Sequence, residues 1–314
     1  MSLSAIIALS LAAASAPLAS EMTIPGPHGA LAGTLLDAGK GTPVVLIIPG
    51  SGPTDRDGNN PLGVSAASYR LLADALAAKN VSSVRIDKRG MFGSKAAIAD
   101  GNAVTIADYA ADAHNWADAI RTKTGARCVW LLGHSEGGLV ALQAAQDARG
   151  LCGVILVSTA GRPLGQVMRD QFRANPANAP ILDAALGALD AFDAGKRVDP
   201  GTLPAPLGQI FPAAVQGYLI DLVAHDPAKL IAAIGLPLLI VQGERDIQVA
   251  TADAHALKAA NDAATLALLP GVNHVLKSVA TDDRAANLAT YRDASLPIAP
   301  GVVDAVAGFV TAKR

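Results

Sequence analysis

Hydrophobic positions fall into two alternating kinds of segment along this chain. Pro43–Ile48 (PVVLII) is apolar without interruption, which marks a strand buried on both faces rather than one. Comparable strand signals recur at Val81–Ile86, Val129–Leu132, Val154–Val157, Leu238–Val241 and Thr265–Leu269. Between most of them lie stretches with apolar residues at helical spacing: Ala66–Lys79, Ile106–Thr122, Gly137–Ala148, Ala252–Ala260 and Val302–Ala312. Ahead of them, Pro25-Gly26-Pro27-His28-Gly29 interrupts extended runs within Thr23–Leu36 and predicts a β-hairpin. Strand and helix in alternation predict an α/β chain, with a mostly parallel central sheet flanked by helices.

One interval breaks the rhythm. Residues 162–233 carry no buried-strand signal, are rich in proline, and contain short amphipathic pieces such as Ile181–Phe192 and Val215–Ala224. About seventy residues are too many for a plain loop between two core strands. They predict a helical cap inserted between strands 6 and 7, with residues 21–161 and 234–314 as the core.

Composition changes the picture at three places. Residues 1–20 (MSLSAIIALSLAAASAPLAS) read as an export signal, with an apolar stretch at Ala5–Ala14 and an A-x-A pattern at Ala14-Ser15-Ala16. They lack a basic residue, and Pro17 favours cleavage nearer Ala19 or Ser20. This reading predicts a periplasmic or secreted protein; a retained N-terminal helix would make it cytoplasmic. No later segment approaches the roughly 20 apolar residues of a membrane span, so none is expected in the mature protein. A net charge of −2 leaves no basic stripe, which argues against nucleic acid as a partner. The two cysteines, Cys128 and Cys152, each open a predicted strand. Parallel neighbouring strands would bring them within reach of a disulfide; two buried free thiols are the alternative. Neither has metal-ligand spacing, so no metal or other cofactor is expected.

The chemistry concentrates at Val129–Gly138. There a buried strand runs into Gly133-His134-Ser135-Glu136-Gly137, and a helix follows at once. G-x-S-x-G between strand and helix presents a nucleophilic serine on a tight turn. A nucleophilic serine needs a base and an orienting acid. Gly243-Glu244-Arg245-Asp246 follows the next-to-last strand and Pro270-Gly271-Val272-Asn273-His274 the last. These supply Asp246, with Glu244 as the alternative acid, and His274 as the base. His134 is expected to pack or hydrogen-bond beneath the serine, and His225 to lie at the surface. Oxyanion donors are the backbone N–H groups of Glu136, at a helix N-terminus, and Ser51 in the loop Ile48–Asn59. Gly50 allows close backbone approach there. Arg56 is expected to brace that loop through ion pairs, with Arg89 as a further member.

Taken together, GSGPTDRDGN, Asp87-Lys88-Arg89-Gly90, GHSEGG, GERD and PGVNH resemble the α/β-hydrolase superfamily. The similarity is greatest to bacterial esterases and serine aminopeptidase-like hydrolases, and it spans about Ile24 to the C-terminus with the cap poorly matched. Those relatives usually carry histidine where this chain has Pro49. The resemblance implies the α/β-hydrolase fold and a Ser135–Asp246–His274 triad. It implies a serine hydrolase of the carboxylesterase type, acting on a small-molecule ester by a two-step acyl-enzyme route. The scarcity of aromatic residues (4%) and wealth of alanine predict a modest pocket and short acyl chains. The competing readings are an acyl-aminoacyl peptidase or aminopeptidase, with Asp183, Asp190 or Asp193 holding a substrate amine, a thioesterase, and a catalytically silent ligand-binding fold.

Overall fold

The computed structural model describes residues 17–312. These residues form an eight-stranded sheet with the strands in the order β1-β2-β4-β3-β5-β6-β7-β8. The first two strands are the expected hairpin: β1 (Leu18–Pro25) pairs antiparallel with β2 (Ala30–Asp37), and β2 pairs antiparallel with β4 (Ser82–Ile86). The others, β3 (Val44–Ile48), β5 (Val129–His134), β6 (Leu151–Val157), β7 (Leu238–Gly243) and β8 (Thr265–Leu269), are parallel. β1 begins inside the segment read as a leader, so residues 18–20 belong to the sheet. Residues 1–16 of that segment lie outside the described residues.

The uninterrupted apolar strands are explained by two cores. Along β3, Val44, Leu46 and Ile48 pack into one and Val45 and Ile47 into the other. In β5, Val129 and Leu131 part from Trp130 and Leu132 in the same way. The first core is closed by α2 (Ile106–Thr124), α3 (Glu136–Ala144) and α9 (Thr251–Ala260); the second by α1 (Ser68–Ala77) and α11 (Pro300–Ala312). Local signals place α2 firmly. Thr105 and Asp108 form a reciprocal capping box, and Gly125, at φ 73°, ends the helix in the left-handed region.

Between β6 and β7 the chain forms α4 (Leu164–Ala174), α5 (Leu182–Asp193), α6 (Ala205–Ile210), α7 (Gln216–Val223) and α8 (Pro227–Ala232). Phe172, Leu189, Phe192, Leu207, Phe211 and Val223 give this insertion a small core of its own. A short α10 (Arg284–Ala289) follows β8. No helix among the described residues is long and apolar enough to cross a membrane.

Cys128 and Cys152 are joined in a disulfide, with Cα atoms 5.1 Å apart. The β5–β6 register jumps between Val129 and Trp130, which pair with Leu151 and Gly153. Cys152 is therefore the extra residue of a bulge, turned toward the residue that precedes β5.

Candidate active site

Ser135 stands between the last residue of β5 and the first of α3, at φ 55° and ψ −121°. Such angles cost a side-chain-bearing residue on the order of 1–3 kcal/mol and persist only where the surroundings enforce them. Enforcement here comes from close packing. A Cβ at Gly133 would stand 2.1 Å from the Gly137 carbonyl oxygen, and one at Gly137 would stand 2.3 Å from that of Ile48. Only glycine at both positions lets strand and helix meet so tightly, and the meeting pushes Ser135 outward at the carboxyl edge of the sheet.

Asp246 and His274 arrive from the ends of β7 and β8. His274 Nδ1 donates to Asp246 Oδ2 at 2.8 Å, and Oδ1 accepts the Gln248 and Val249 N–H groups at 2.8 and 2.9 Å. Burial opposes ionisation of Asp246. The His274 charge, its hydrogen bond and the two amides outweigh that and hold the carboxyl below its ordinary range. Glu244, the alternative acid, is exposed, and the carboxylate that meets His274 is Asp246. Asn287 Nδ2 donates to the Arg245 carbonyl, and Asn287 Oδ1 accepts from Asn273, so one side chain ties the two loops together. Ser135 and His274 line the same small cavity of about 110 Å³. Among the described residues the Ser135 hydroxyl has no hydrogen-bond partner; in substrate-free sites the bond to the base is often loose and tightens with the ligand.

A hydrogen-bond chain runs beneath the serine. Gly50 N–H donates to Tyr69 Oη at 3.0 Å, Tyr69 meets His134 Nδ1 at 2.9 Å, and His134 Nε2 meets the His274 carbonyl at 2.8 Å. The His274 carbonyl can only accept, so Nε2–H donates to it; Nδ1 of the neutral ring then accepts the Tyr69 proton, and Tyr69 Oη accepts from Gly50 N–H. Burial, then the nearby His274 charge, lowers His134 to about 3, so its ring is neutral. Gly50 N–H is thus engaged by Tyr69. Among the described residues neither Ser51 N–H nor Glu136 N–H makes a hydrogen bond.

The loop bearing Ser51 is braced more heavily than its sequence suggests. Arg56 donates twice to Asp87 (3.0 and 2.8 Å) and also to Glu21 (2.6 Å), while Asp57 pairs with Arg85. Arg89 takes no part, contrary to the sequence expectation. It turns to α2 and pairs with Asp108 and Asp112. The residue that sequence reasoning missed is its neighbour Lys88. Its buried ammonium donates to the Gly50 carbonyl at 2.7 Å and to Glu136 Oε1 at 2.8 Å, joining the two candidate oxyanion segments. The available signal was its place in Asp87-Lys88-Arg89-Gly90, at the end of the strand beside β3.

Comparison with known proteins bears on the fold. A family profile described as "Serine aminopeptidase, S33" matches residues 62–188. Esterase EstD of Thermotoga maritima is 27% identical over 214 residues, covering 67% of this chain and 48% of the relative. The chain thus spans about half the length of that curated relative. Among solved structures, an esterase from Thermogutta terrifontis superposes with a TM-score of 0.56 at 17% identity, over 94% of this chain and 99% of that one. Est1E from Butyrivibrio proteoclasticus gives 0.56 at 17%, over 93% and 98%. The α/β hydrolase GrgF from Penicillium sp. sh18 gives 0.58 at 19%, over 82% and 91%. This chain has the α/β-hydrolase fold.

Ser135 also lines a second, larger cavity of about 500 Å³, walled partly by α4 and α7 of the insertion. Leu139, Leu164, Met168, Leu219, Leu222 and Tyr218 line it, so the alanine richness does not set its size. Its charged groups are matched. Lys88 meets Glu136, and Arg162 is held by Asp253 and Asp170. His225, expected at the surface, lines this cavity instead. Asp190 and Asp193 pair with Arg169, and Asp183 lines neither cavity.

Proposed function

We propose that the protein is a serine hydrolase that cleaves neutral carboxylic esters through an acyl-enzyme. One observation carries this reading: Ser135, on its strained turn, lines one cavity with Ser51 and Glu136, whose backbone amides are unengaged among the described residues, and another with an imidazole already oriented by a carboxylate. In the first step Ser135 Oγ attacks the ester carbonyl and His274 removes its proton. The carbonyl oxygen, now negative, lies against the N–H groups of Ser51 and Glu136; each such donor is typically worth about 3 kcal/mol in the barrier. His274 then protonates the leaving alcohol, and water, activated by the same ring, releases the acid. Asp246 holds the imidazole in the required tautomer and stabilises its charged form.

The esterase names among the relatives support an ester as the substrate. The family profile's description favours a second reading, hydrolysis next to a free amine. That reading lacks a partner for the amine, because every acidic side chain at the larger cavity is neutralised and the carboxylates named above are engaged or remote. The disulfide supports an oxidising compartment, the periplasm or the exterior.

A fluorophosphonate probe should label Ser135 and fail on Ser135→Ala. A panel of nitrophenyl esters set beside an aminoacyl anilide and a thioester should show the esters turned over fastest. Preference for the anilide would transfer the reading to a peptidase, preference for the thioester to a thioesterase. An unlabelled wild-type protein would leave a silent binding fold.

A further inference from the structure

The two cavities that meet at Ser135 are unequal in size and chemistry, and the groups that flank the serine are divided between them. His274 lines only the smaller, with Asn60, Ser68, Tyr69 and Tyr291 as polar neighbours. Glu136, whose N–H faces the developing oxyanion, lines only the larger. Ser135, Ser51 and Gln248 border both.

Resting on the esterase reading above, we infer that the protein selects esters of a bulky apolar acid with a short alcohol, the acyl chain lying under the insertion helices and the alcohol beside His274. The assignment follows from the bonds that change. When Ser135 Oγ attacks, the carbonyl carbon gains the Oγ–C bond and its oxygen gains the electron pair of the former π bond. The C–O bond to the alcohol then breaks, and the alcohol oxygen receives from His274 the proton that left Ser135. That oxygen must therefore sit within hydrogen-bond reach of the imidazole, and the carbon chain attached to it starts in the small cavity, which is the one His274 lines. With the oxyanion directed at Ser51 and Glu136, the acyl substituent has the remaining direction, into the large cavity.

Size and polarity set the class. About 110 Å³ accommodates roughly three or four groups of water size, at about 30 Å³ each. About 500 Å³ falls in the range of roughly 300–1,000 Å³ that holds drug-sized ligands. Its wall is leucine, methionine and tyrosine with all charges paired, so an extended hydrocarbon or aromatic acid is favoured and an ionised one is not. This revises the expectation of short acyl chains.

Isomeric esters test the assignment without altering the protein. Ethyl octanoate and octyl acetate have the same atoms and nearly the same hydrophobicity, with the chain on opposite sides of the carbonyl. The expected result is a kcat/KM for ethyl octanoate at least tenfold that for octyl acetate. Equal rates, or preference for octyl acetate, would overturn the assignment while leaving the esterase reading in place. No turnover of either, with Ser135 unlabelled by fluorophosphonate, would remove both. Leu219→Trp should lower the ratio of ethyl octanoate to ethyl acetate turnover at least tenfold, and an unmoved ratio would count against the acyl site. The ratio is its own control for folding.

Discussion

At the residue scale, the chemistry rests on a few side chains whose protonation is set by burial and partners. Asp246→Asn keeps the size of the side chain but favours the wrong imidazole tautomer; kcat should fall roughly 10⁴-fold by analogy with other triads, measured on any nitrophenyl ester. Because Asp246 is held below the usual carboxylate range, it remains ionised wherever an imidazole titrates. The acid limb of kcat/KM should therefore show one ionisation and no second from the carboxylate. The protonation of His134 bears on stability. Its folded value of about 3 lies below the ordinary 6.5, so the unfolded chain binds the extra proton between them. The stability this contributes is complete above pH 6.5 and is lost as pH falls toward 3, at about 1.4 kcal/mol per pH unit. Denaturant melts from pH 7 to 4 should show this slope, and His134→Gln should flatten it. Ser135, Asp246 and His274 were legible in the sequence because each follows a recognisable strand and appears in a fixed order. Lys88 was not, because its partners, Gly50 and Glu136, lie 38 and 48 residues away and become neighbours only across the sheet.

Among elements, the loop after β3 and the turn into α3 behave as one unit, cross-linked by Lys88 and by the Gly50–Tyr69–His134 chain. The relatives' usual histidine is absent at Pro49, and these bonds provide the bracing. Tyr69→Phe keeps the buried ring and removes the hydroxyl, leaving Gly50 N–H and His134 Nδ1 unpaired. A loss of about 1–3 kcal/mol in stability is expected. A drop in kcat larger than any change in KM should accompany it, since the oxyanion donors act mainly in the transition state. An unchanged kcat would show that the loop holds its place without the chain. The strands and flanking helices were readable because periodicity is local. Where Arg89 points was not, since a free guanidinium pairs with whichever carboxylate the tertiary packing brings nearest.

For the whole molecule, the disulfide closes a loop of 24 residues in sequence separation. Chain entropy makes that worth about 3 kcal/mol, so reduction, or Cys128→Ser, should lower the unfolding midpoint by several degrees while leaving kcat unaltered. A changed kcat would indicate that the far end of the sheet is coupled to the site. Local sequence was enough for the alternation of strands and helices, the turn that carries Ser135 and the strand ends that bear Asp246 and His274, because side-chain period and backbone stereochemistry act within a few residues. Contacts between distant segments settled which ion pairs form, that the thiols meet across a bulge, and that a large, mainly apolar cavity opens beside a smaller one of mixed lining. Those outcomes depend on distances between segments remote in the chain, and composition cannot specify where a leucine or an ammonium comes to rest.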